Sequence, residues 1–116
     1  MLPSRTAFEP LADVYETEDA VVVRLEISGL KANSSDILVE IQDDLMTVSG
    51  ERLDPADGAR EYEQMEIRTG RFEKTVRVPC MVSETEAVAR YDDGFLVISL
   101  PKSKPVRSAV RLVRID

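Results

Sequence analysis

Hydrophobic and polar residues alternate with a period of two along most of the chain. The clearest run, AVVVRLEIS, places an apolar side chain at every second position and sends Arg24 and Glu26 to the opposite side. Such alternation is typical of a strand with one face in a core and the other in water. Seven segments follow this pattern: LADVYET, AVVVRLEIS, DILVEIQ, LMTVSGE, RFEKTVRVP, EAVARY and FLVISLP. Because turn residues separate them at roughly ten-residue intervals, they predict an antiparallel β-sandwich.

The connections between these runs favour hairpins rather than helices. Asp43 and Asp44 separate the third run from the fourth, and the residues from Asp92 to Gly94 separate the last two. Both connections have the length and composition of tight β-hairpin turns. Ser35 and Ser83 could each cap one helical turn, but β-branched residues follow soon after. No segment carries an amphipathic helical pattern of useful length, so we expect an all-β domain.

Residues 51–66, ERLDPADGAREYEQME, break the alternation. They contain Pro55, Gly58 and six acidic residues, so they offer very little to a core. A connection of this length is unusual in a small compact domain and favours a functional role. The segment is either a flexible loop or a projecting arm that docks on another surface.

The end of the chain is basic, whereas the rest is acidic. The last sixteen residues hold five basic residues and one acid, and the first 100 hold ten basic and twenty-one acidic residues. Proline, serine and lysine at the start of this tail predict an extended segment. Its end, AVRLVRI, contains two apolar doublets: Val110 with Leu112, and Val113 with Ile115. Apolar residues at alternate positions suit strand addition to a sheet edge. The alternative is that the tail is the last strand of its own domain.

Composition narrows the class of protein. A chain of 116 residues suits one domain. A net charge of −7 opposes binding to nucleic-acid phosphates. No apolar run approaches the roughly 20 residues that span a membrane, and the first ten residues lack the apolar stretch of a signal peptide. The single Cys80 fits a reducing compartment and a small, buried side chain. We therefore expect a soluble, cytoplasmic protein with no nucleic-acid or membrane partner.

Residues for common catalytic and metal sites are missing. The chain has no histidine, which removes histidine-based triads and the commonest metal ligand, and one cysteine cannot form a thiolate zinc site. No glycine-rich phosphate-binding motif is present. The adjacent acids of the two predicted turns serve turn geometry. We expect no enzyme activity, cofactor or metal, since a hydrolase built from distant acids would need a cleft that nothing here indicates.

The last predicted hairpin carries a family signature. Residues 89–102 follow the pattern AxxxxGxLxxxLPK, which resembles the signature of the alpha-crystallin domain of small heat-shock proteins; the matching residues are Ala89, Gly94, Leu96, Leu100, Pro101 and Lys102. Residues 13–52 resemble the first four strands of that family, and GRFEKTVRVP resembles a later strand. The resemblance implies an immunoglobulin-like β-sandwich of about seven to nine strands. It divides the chain into an N-terminal arm, 1–10, an alpha-crystallin domain, 11–102, and a C-terminal extension, 103–116.

The resemblance implies an ATP-independent holdase chaperone that binds partly unfolded clients and prevents their aggregation. Such proteins form homodimers, and often larger oligomers, through a strand on the long loop. Here the core of that strand is implied at Arg60, Glu61, Tyr62 and Glu63. A C-terminal doublet, Val113 with Ile115 or Val110 with Leu112, is implied to insert into a groove of a neighbouring subunit.

The candidate groove residues, for the anchor and for clients, are Val39, Ile41, Ala87, Ala89, Leu96 and Ile98. The alternative is that these residues form the sandwich core, and for Leu96 and Ile98 the two roles are equally supported.

Three features depart from the family pattern. Ser28 and Gly29 replace a Pro-Gly turn, neither tail doublet contains two isoleucines, and only about ten residues precede the domain.

The second interpretation of the chain is an adaptor or co-chaperone β-sandwich of the CS-domain type. Proteins of that type generally lack the LPK closure, the long arm and the tail doublet.

Overall fold

The structure is a computed structural model that describes residues 6–31, 37–53 and 60–103. These residues contain seven strands and no helix; the strands are β1 Leu11–Glu16, β2 Ala20–Glu26, β3 Leu38–Gln42, β4 Leu45–Arg52, β5 Gly70–Arg77, β6 Val88–Asp92 and β7 Phe95–Pro101. Each strand coincides with one of the seven alternating runs, so the predicted all-β architecture is confirmed.

The strands form two antiparallel sheets that pack face to face. One sheet has the order β1-β2-β7-β6 and the other the order β3-β4-β5. In the first, Val23 lies opposite Ile98 at the centre of the β2–β7 pair. In the second, Val48 of β4 lies opposite Val39 on one side and Lys74 on the other. The predicted antiparallel sandwich is therefore confirmed.

The core consists of the residues that the alternation assigned to the inner faces. The largest fully buried side chains are Phe72, Leu25, Ile27, Met46, Ile98, Leu100, Val21, Val23 and Val48. Burial of an aliphatic or aromatic side chain of this size contributes roughly 1.5–3 kcal/mol. No polar or charged side chain is buried in the described part of the chain. The sheets are thus joined by apolar packing.

Gly50 allows two core side chains to meet over β4. A Cβ atom built at this position would lie 2.7 Å from Cδ1 of Ile37 and 2.7 Å from Cζ of Phe72. Carbon atoms at that separation overlap strongly, since their optimal distance is about 3.5–4.0 Å. The glycine is therefore required by the close approach of Phe72 and Ile37.

The hairpin between β6 and β7 has the turn geometry that its sequence favours. Asp92 lies opposite Phe95, so Asp93 and Gly94 are the two turn residues. Their φ angles are 48° and 84°, and positive φ at both central positions is the signature of a type I′ turn. The β3–β4 turn is equally short, with Asp43 at a φ of 58°.

A tyrosine ties β6 to the segment that leaves β2. The hydroxyl of Tyr91 donates a hydrogen bond to the carbonyl of Ile27 at 2.7 Å and accepts one from the amide of Leu30 at 3.3 Å. The amide of Ile27 in turn donates to the carbonyl of Gly94 at 2.8 Å. These contacts hold β6 in place although it is an end strand.

Residues 6–10 pack on the sandwich, although the sequence assigned residues 1–10 to an arm. Phe8 forms a parallel bridge with Phe72, and their ring centroids are 5.5 Å apart. The guanidinium carbon of Arg52 lies 4.2 Å from the centroid of the Phe8 ring. This segment therefore covers part of β5.

We predict that Gly50→Ala destabilises the domain without changing its fold, because the new methyl group displaces Phe72 and Ile37. Overpacking of this kind costs about 1–3 kcal/mol, which corresponds to a fall in Tm of roughly 5–15 °C for a small domain. Thermal unfolding followed by circular dichroism measures it. Ser49→Ala, on the outer face of the same strand, is the control and should leave Tm almost unchanged. Equal Tm values for the two variants would contradict the packing described for Gly50.

Candidate functional site

One side of the sandwich is closed and the other is open. The end strands β1 and β5 approach within 8 Å between Cα atoms, whereas no Cα atom of β3 lies within 8 Å of any in β6. Within the described ranges, the outer edges of β3 and β6 pair with no strand. Both edges therefore present unpaired backbone hydrogen-bonding groups on the same side of the sandwich, and the space between them is called the groove below.

Residues that point into the sandwich from these two strands are only partly covered. Val39 and Ile41 lie opposite fully buried residues of β4, yet both are only half-buried. Ala89 lies opposite Ile98, which is 1% exposed, and is itself exposed. In a closed sandwich these three side chains would be covered by the facing sheet. Here they form an apolar floor along the open side.

The structure separates five of the six predicted groove residues into two groups, and the sixth, Ala87, lies apart from both. Val39, Ile41 and Ala89 lie along the groove, as described above. Leu96 and Ile98 are 4% and 1% exposed and belong to the core, which is the alternative role that the sequence left open for them.

Ala87 requires a correction. The run EAVARY placed it on a strand, but β6 begins one residue later, at Val88. The amide of Ala87 donates to the carbonyl of Glu84 at 3.2 Å, so a turn occupies this position. Ala87 is exposed beside the start of β6 rather than on the strand.

Two exposed apolar residues next to the groove were missed. Leu38 and Val88 are 54% and 63% exposed and lie on the outer faces of β3 and β6. The signal was available in the sequence, because each is an apolar residue at a position that the alternation assigns to solvent. They widen the apolar surface at both edges.

Residues 60–69 lie against the end of the sandwich that carries the turn at Ser28 and Gly29. Arg60, Glu61, Tyr62 and Glu63 are exposed and lie outside the strands. With the turn at 28–29, this segment encloses a cleft of about 360 Å³, whose lining includes Arg52, Tyr62 and Met65.

Arg52 holds the point where this segment returns to the sandwich. Its Nε atom donates to the carbonyl of Arg68 at 3.1 Å, and its Nη1 atom donates to the carbonyl of Ser28 at 3.3 Å. Leu53, Met65 and Ile67 remain 58%, 61% and 78% exposed. The described residues 51–53 and 60–67, called the arm below, therefore present apolar side chains that the rest of the described chain leaves uncovered.

The described residues show no sign of a metal site or a membrane span. In the ranges 6–31, 37–53 and 60–103, no three His, Cys, Asp or Glu side chains form a group that could hold a metal ion. No helix in these ranges is long and apolar enough to cross a membrane. The tail doublets, Val110 with Leu112 and Val113 with Ile115, lie outside the described residues. The free edges of β3 and β6 have the geometry to which an extended chain can add as a further strand.

Solved structures of the same architecture are small heat-shock proteins. Heat shock protein 16.0 from Schizosaccharomyces pombe superposes with a TM-score of 0.69 at 26% identity, over 94% of this chain and 99% of that chain. A small heat-shock protein from Xylella fastidiosa has a TM-score of 0.70 at 22% identity, over 96% and 99%. The second likeness supports the fold alone. The fold is that of a small heat-shock protein domain.

The sequence comparisons give the family. The model of the Hsp20/alpha crystallin family matches residues 13–116, and the chain belongs to this family. Heat shock protein 16 of Schizosaccharomyces pombe is 30% identical over 98 residues, covering 80% of this chain and 66% of that protein. The 17.5 kDa class I heat shock protein of Glycine max is 30% identical over 106 residues, covering 90% and 68%.

The family prediction is thereby confirmed, and the CS-domain alternative is not favoured. The chain spans 61% of the length of small heat shock protein C2 of Rickettsia felis, to which it is 25% identical over 96 residues.

Proposed function

We propose that this protein is an ATP-independent holdase chaperone that binds apolar segments of partly unfolded proteins and prevents their aggregation. The observation that carries the proposal is the open groove between β3 and β6, whose floor of Val39, Ile41 and Ala89 is incompletely covered. An unfolding client exposes the extended, apolar backbone that such a groove accommodates. The family membership of the chain agrees with this role.

Binding in this groove requires no catalytic group. Covering apolar surface contributes roughly 25 cal/mol per Å², and an added strand can pair its backbone with either free edge. Ordering the bound segment costs about 1–2 kcal/mol per residue fixed. The free energy gained by covering apolar surface is therefore largely offset by the cost of ordering the segment. For this reason we expect a bound segment to exchange rather than remain trapped.

We propose that the working unit is a homodimer formed by the arm. The segment from Arg60 to Glu63 is polar and exposed, and β1 has an outer edge that pairs with no strand among the described residues. Leu11 and Tyr15 on β1 are 73% and 47% exposed, and Ile67 of the arm is 78% exposed. Strand exchange between two subunits would pair this edge and cover these apolar side chains.

We further propose that the tail anchors larger assemblies. The support is in its sequence, because Val113 with Ile115, or Val110 with Leu112, matches the alternate spacing of side chains on one face of a strand. The strand β7 ends at Pro101, and the amide of Ser103 donates to the carbonyl of Met81 at 2.9 Å. The tail therefore starts at the end of the sandwich where β6 begins.

We also propose a cytoplasmic location, with which the single cysteine, Cys80, agrees.

We predict that the protein suppresses light scattering from a heated or reduced test client without ATP, at sub-stoichiometric to equimolar amounts. The physical reason is that the groove covers apolar client surface before clients meet one another. An unrelated acidic protein of similar size, at the same concentration, is the control and should leave the scattering unchanged. Unaltered aggregation at several-fold molar excess would reject the holdase function.

We predict that deletion of residues 55–63 yields a folded monomer, because it removes the strand proposed to pair with the partner. Native mass spectrometry gives the mass, and circular dichroism checks the fold. As a matched control, residues 54–59 are replaced by a glycine-serine linker of equal length, which leaves Arg60 to Glu63 in place and should preserve the dimer. A deletion variant that keeps the dimer mass would place the interface elsewhere.

We predict that Val113→Gly with Ile115→Gly reduces assembly above the dimer and leaves the unfolding temperature of the dimer unchanged. Two aliphatic side chains contribute roughly 3–5 kcal/mol before ordering costs, so their loss should be visible in the oligomer mass distribution. The matched pair Val110→Gly with Leu112→Gly tests the other register and should have little effect. If the first pair instead lowers the unfolding temperature of the isolated dimer, the tail is a strand of its own domain.

A further inference from the structure

The two segments that border the open groove are acidic. Residues 38–45 and 84–95 carry one basic residue, Arg90, and seven acids, all of them exposed; the acids are Glu40, Asp43, Asp44, Glu84, Glu86, Asp92 and Asp93. Among the ion pairs of the described residues, Asp44 with Arg77 is the one that involves these acids. Most of this negative charge is therefore not neutralised within the subunit.

The excess of acids is larger on the open side of the sandwich than on the closed side. Counted with the adjoining turn residues in the same way, the closed side, residues 11–19 and 70–78, carries five acids and three bases. The segments along the groove carry seven acids and one base, so their excess of acids is three times as large. The overall net charge of −7 is thus unevenly distributed over the surface.

The topology brings acids from both segments to one end of the groove. The amide of Val78, just after β5, donates to the carbonyl of Asp44 at 2.7 Å, which places the β3–β4 turn at the end where β5 finishes. The chain then crosses to the other sheet, where the amide of Ser83 donates to the carbonyl of Pro101 at 2.8 Å. Glu84 and Glu86 follow directly, before β6 begins. Acids of both sheets therefore lie at the end from which the tail departs.

Charges in these positions act on whatever enters the groove. Interactions between exposed charges extend over a Debye length of about 8 Å at physiological ionic strength. A strand that follows the groove has its alternate side chains directed away from the apolar floor, into the solvent beside the acidic segments. Lysine or arginine at those alternate positions would be attracted, and glutamate or aspartate would be repelled.

The tail of this chain has a matching sequence, although it lies outside the described residues. In AVRLVRI, Arg111 stands between Val110 and Leu112, and Arg114 stands between Val113 and Ile115. Each doublet is therefore an alternation of apolar and basic residues. In an extended segment of this sequence, the apolar side chains would pack on the floor of the groove while the basic side chains face the acidic segments.

We infer that the groove selects extended segments in which large apolar residues alternate with lysine or arginine, and that it discriminates against segments in which acids occupy those positions. The inference rests on the proposed holdase function and specifies its substrate class. Clients that expose basic, alternating segments are bound in preference to equally apolar acidic ones.

Three labelled peptides with identical apolar residues test the selectivity: AVRLVRI, AVQLVQI and AVELVEI. Their Kd values for the full-length protein are measured by fluorescence anisotropy at low salt and at about 0.5 M salt, where the Debye length shortens to a few Å. The tail is present in every measurement, so any competition from it is the same for all three peptides. We expect the basic peptide to bind roughly tenfold more tightly than the acidic one at low salt, with the neutral peptide between them and a smaller difference at high salt.

Two charge-reversed variants test whether the preference for basic peptides depends on the acids beside the groove. Glu84→Lys with Glu86→Lys alters the rim of the groove, whereas Glu26→Lys with Glu73→Lys makes the same change in net charge on outer faces that do not border it. The first variant should lose or reverse the preference, and the second should keep most of it. Circular dichroism confirms that both variants fold.

Equal Kd values for the three peptides, no measurable binding of any peptide, or equal effects of the two variants would overturn the inference. Suppression of client aggregation is measured in parallel with the wild-type protein. Suppression without a charge preference would leave the holdase function and reject the selectivity. A charge preference without suppression would leave the selectivity and reject the holdase function.

Discussion

Apolar packing between the two sheets is complete on the side of β1 and β5 and incomplete on the side of β3 and β6. The proposed binding surface depends on that asymmetry. The fully buried residues of β2, β4 and β7 hold the sheets together at the centre. On one side β1 lies against β5, and Phe8 adds a further ring over Phe72. On the other side the inward-facing residues of β3 and β6 remain partly exposed, and no Cα atoms of these two strands lie within 8 Å of one another. A stable core and an open binding edge therefore coexist in one small domain.

An open edge is a hazard in most β-proteins because it invites uncontrolled pairing with other chains. In a holdase the same property is the activity, provided that binding is weak enough to reverse. Two features limit binding here. The floor includes Ala89, whose small side chain contributes little apolar surface, and the acidic segments beside it are inferred to oppose acidic partners by charge. In the proposed function, the groove holds exposed segments by apolar contact and backbone pairing alone.

The strands could be predicted because a period of two is a local property of the sequence. Val21, Val23 and Leu25 face the core for the same reason that their neighbours Arg24 and Glu26 do not. The turn at Asp93 and Gly94 is also local, since both residues tolerate positive φ.

What could not be predicted depends on how distant segments meet. The sequence places Leu96 and Ala89 on strands, but the order of the sheet decides that Leu96 is central and buried while Ala89 lies at an open edge. The packing of Phe8 on Phe72 depends on a contact between residues far apart in the chain, and nothing in the first ten residues indicates it. Ala87 was placed on a strand that begins one residue later, because its own apolar side chain continues the alternation of Ala89 and Tyr91.

The central claim is that clients bind along the groove between β3 and β6. Hydrogen exchange of backbone amides, measured with and without a chemically destabilised client, tests it most directly. The account predicts that residues 38–42 and 88–92 exchange more slowly when the client is present. It also predicts that the central strands β2 and β7, which are already paired on both edges, change little. Slower exchange confined to β1, β5 or the arm, with no change in β3 and β6, would contradict it.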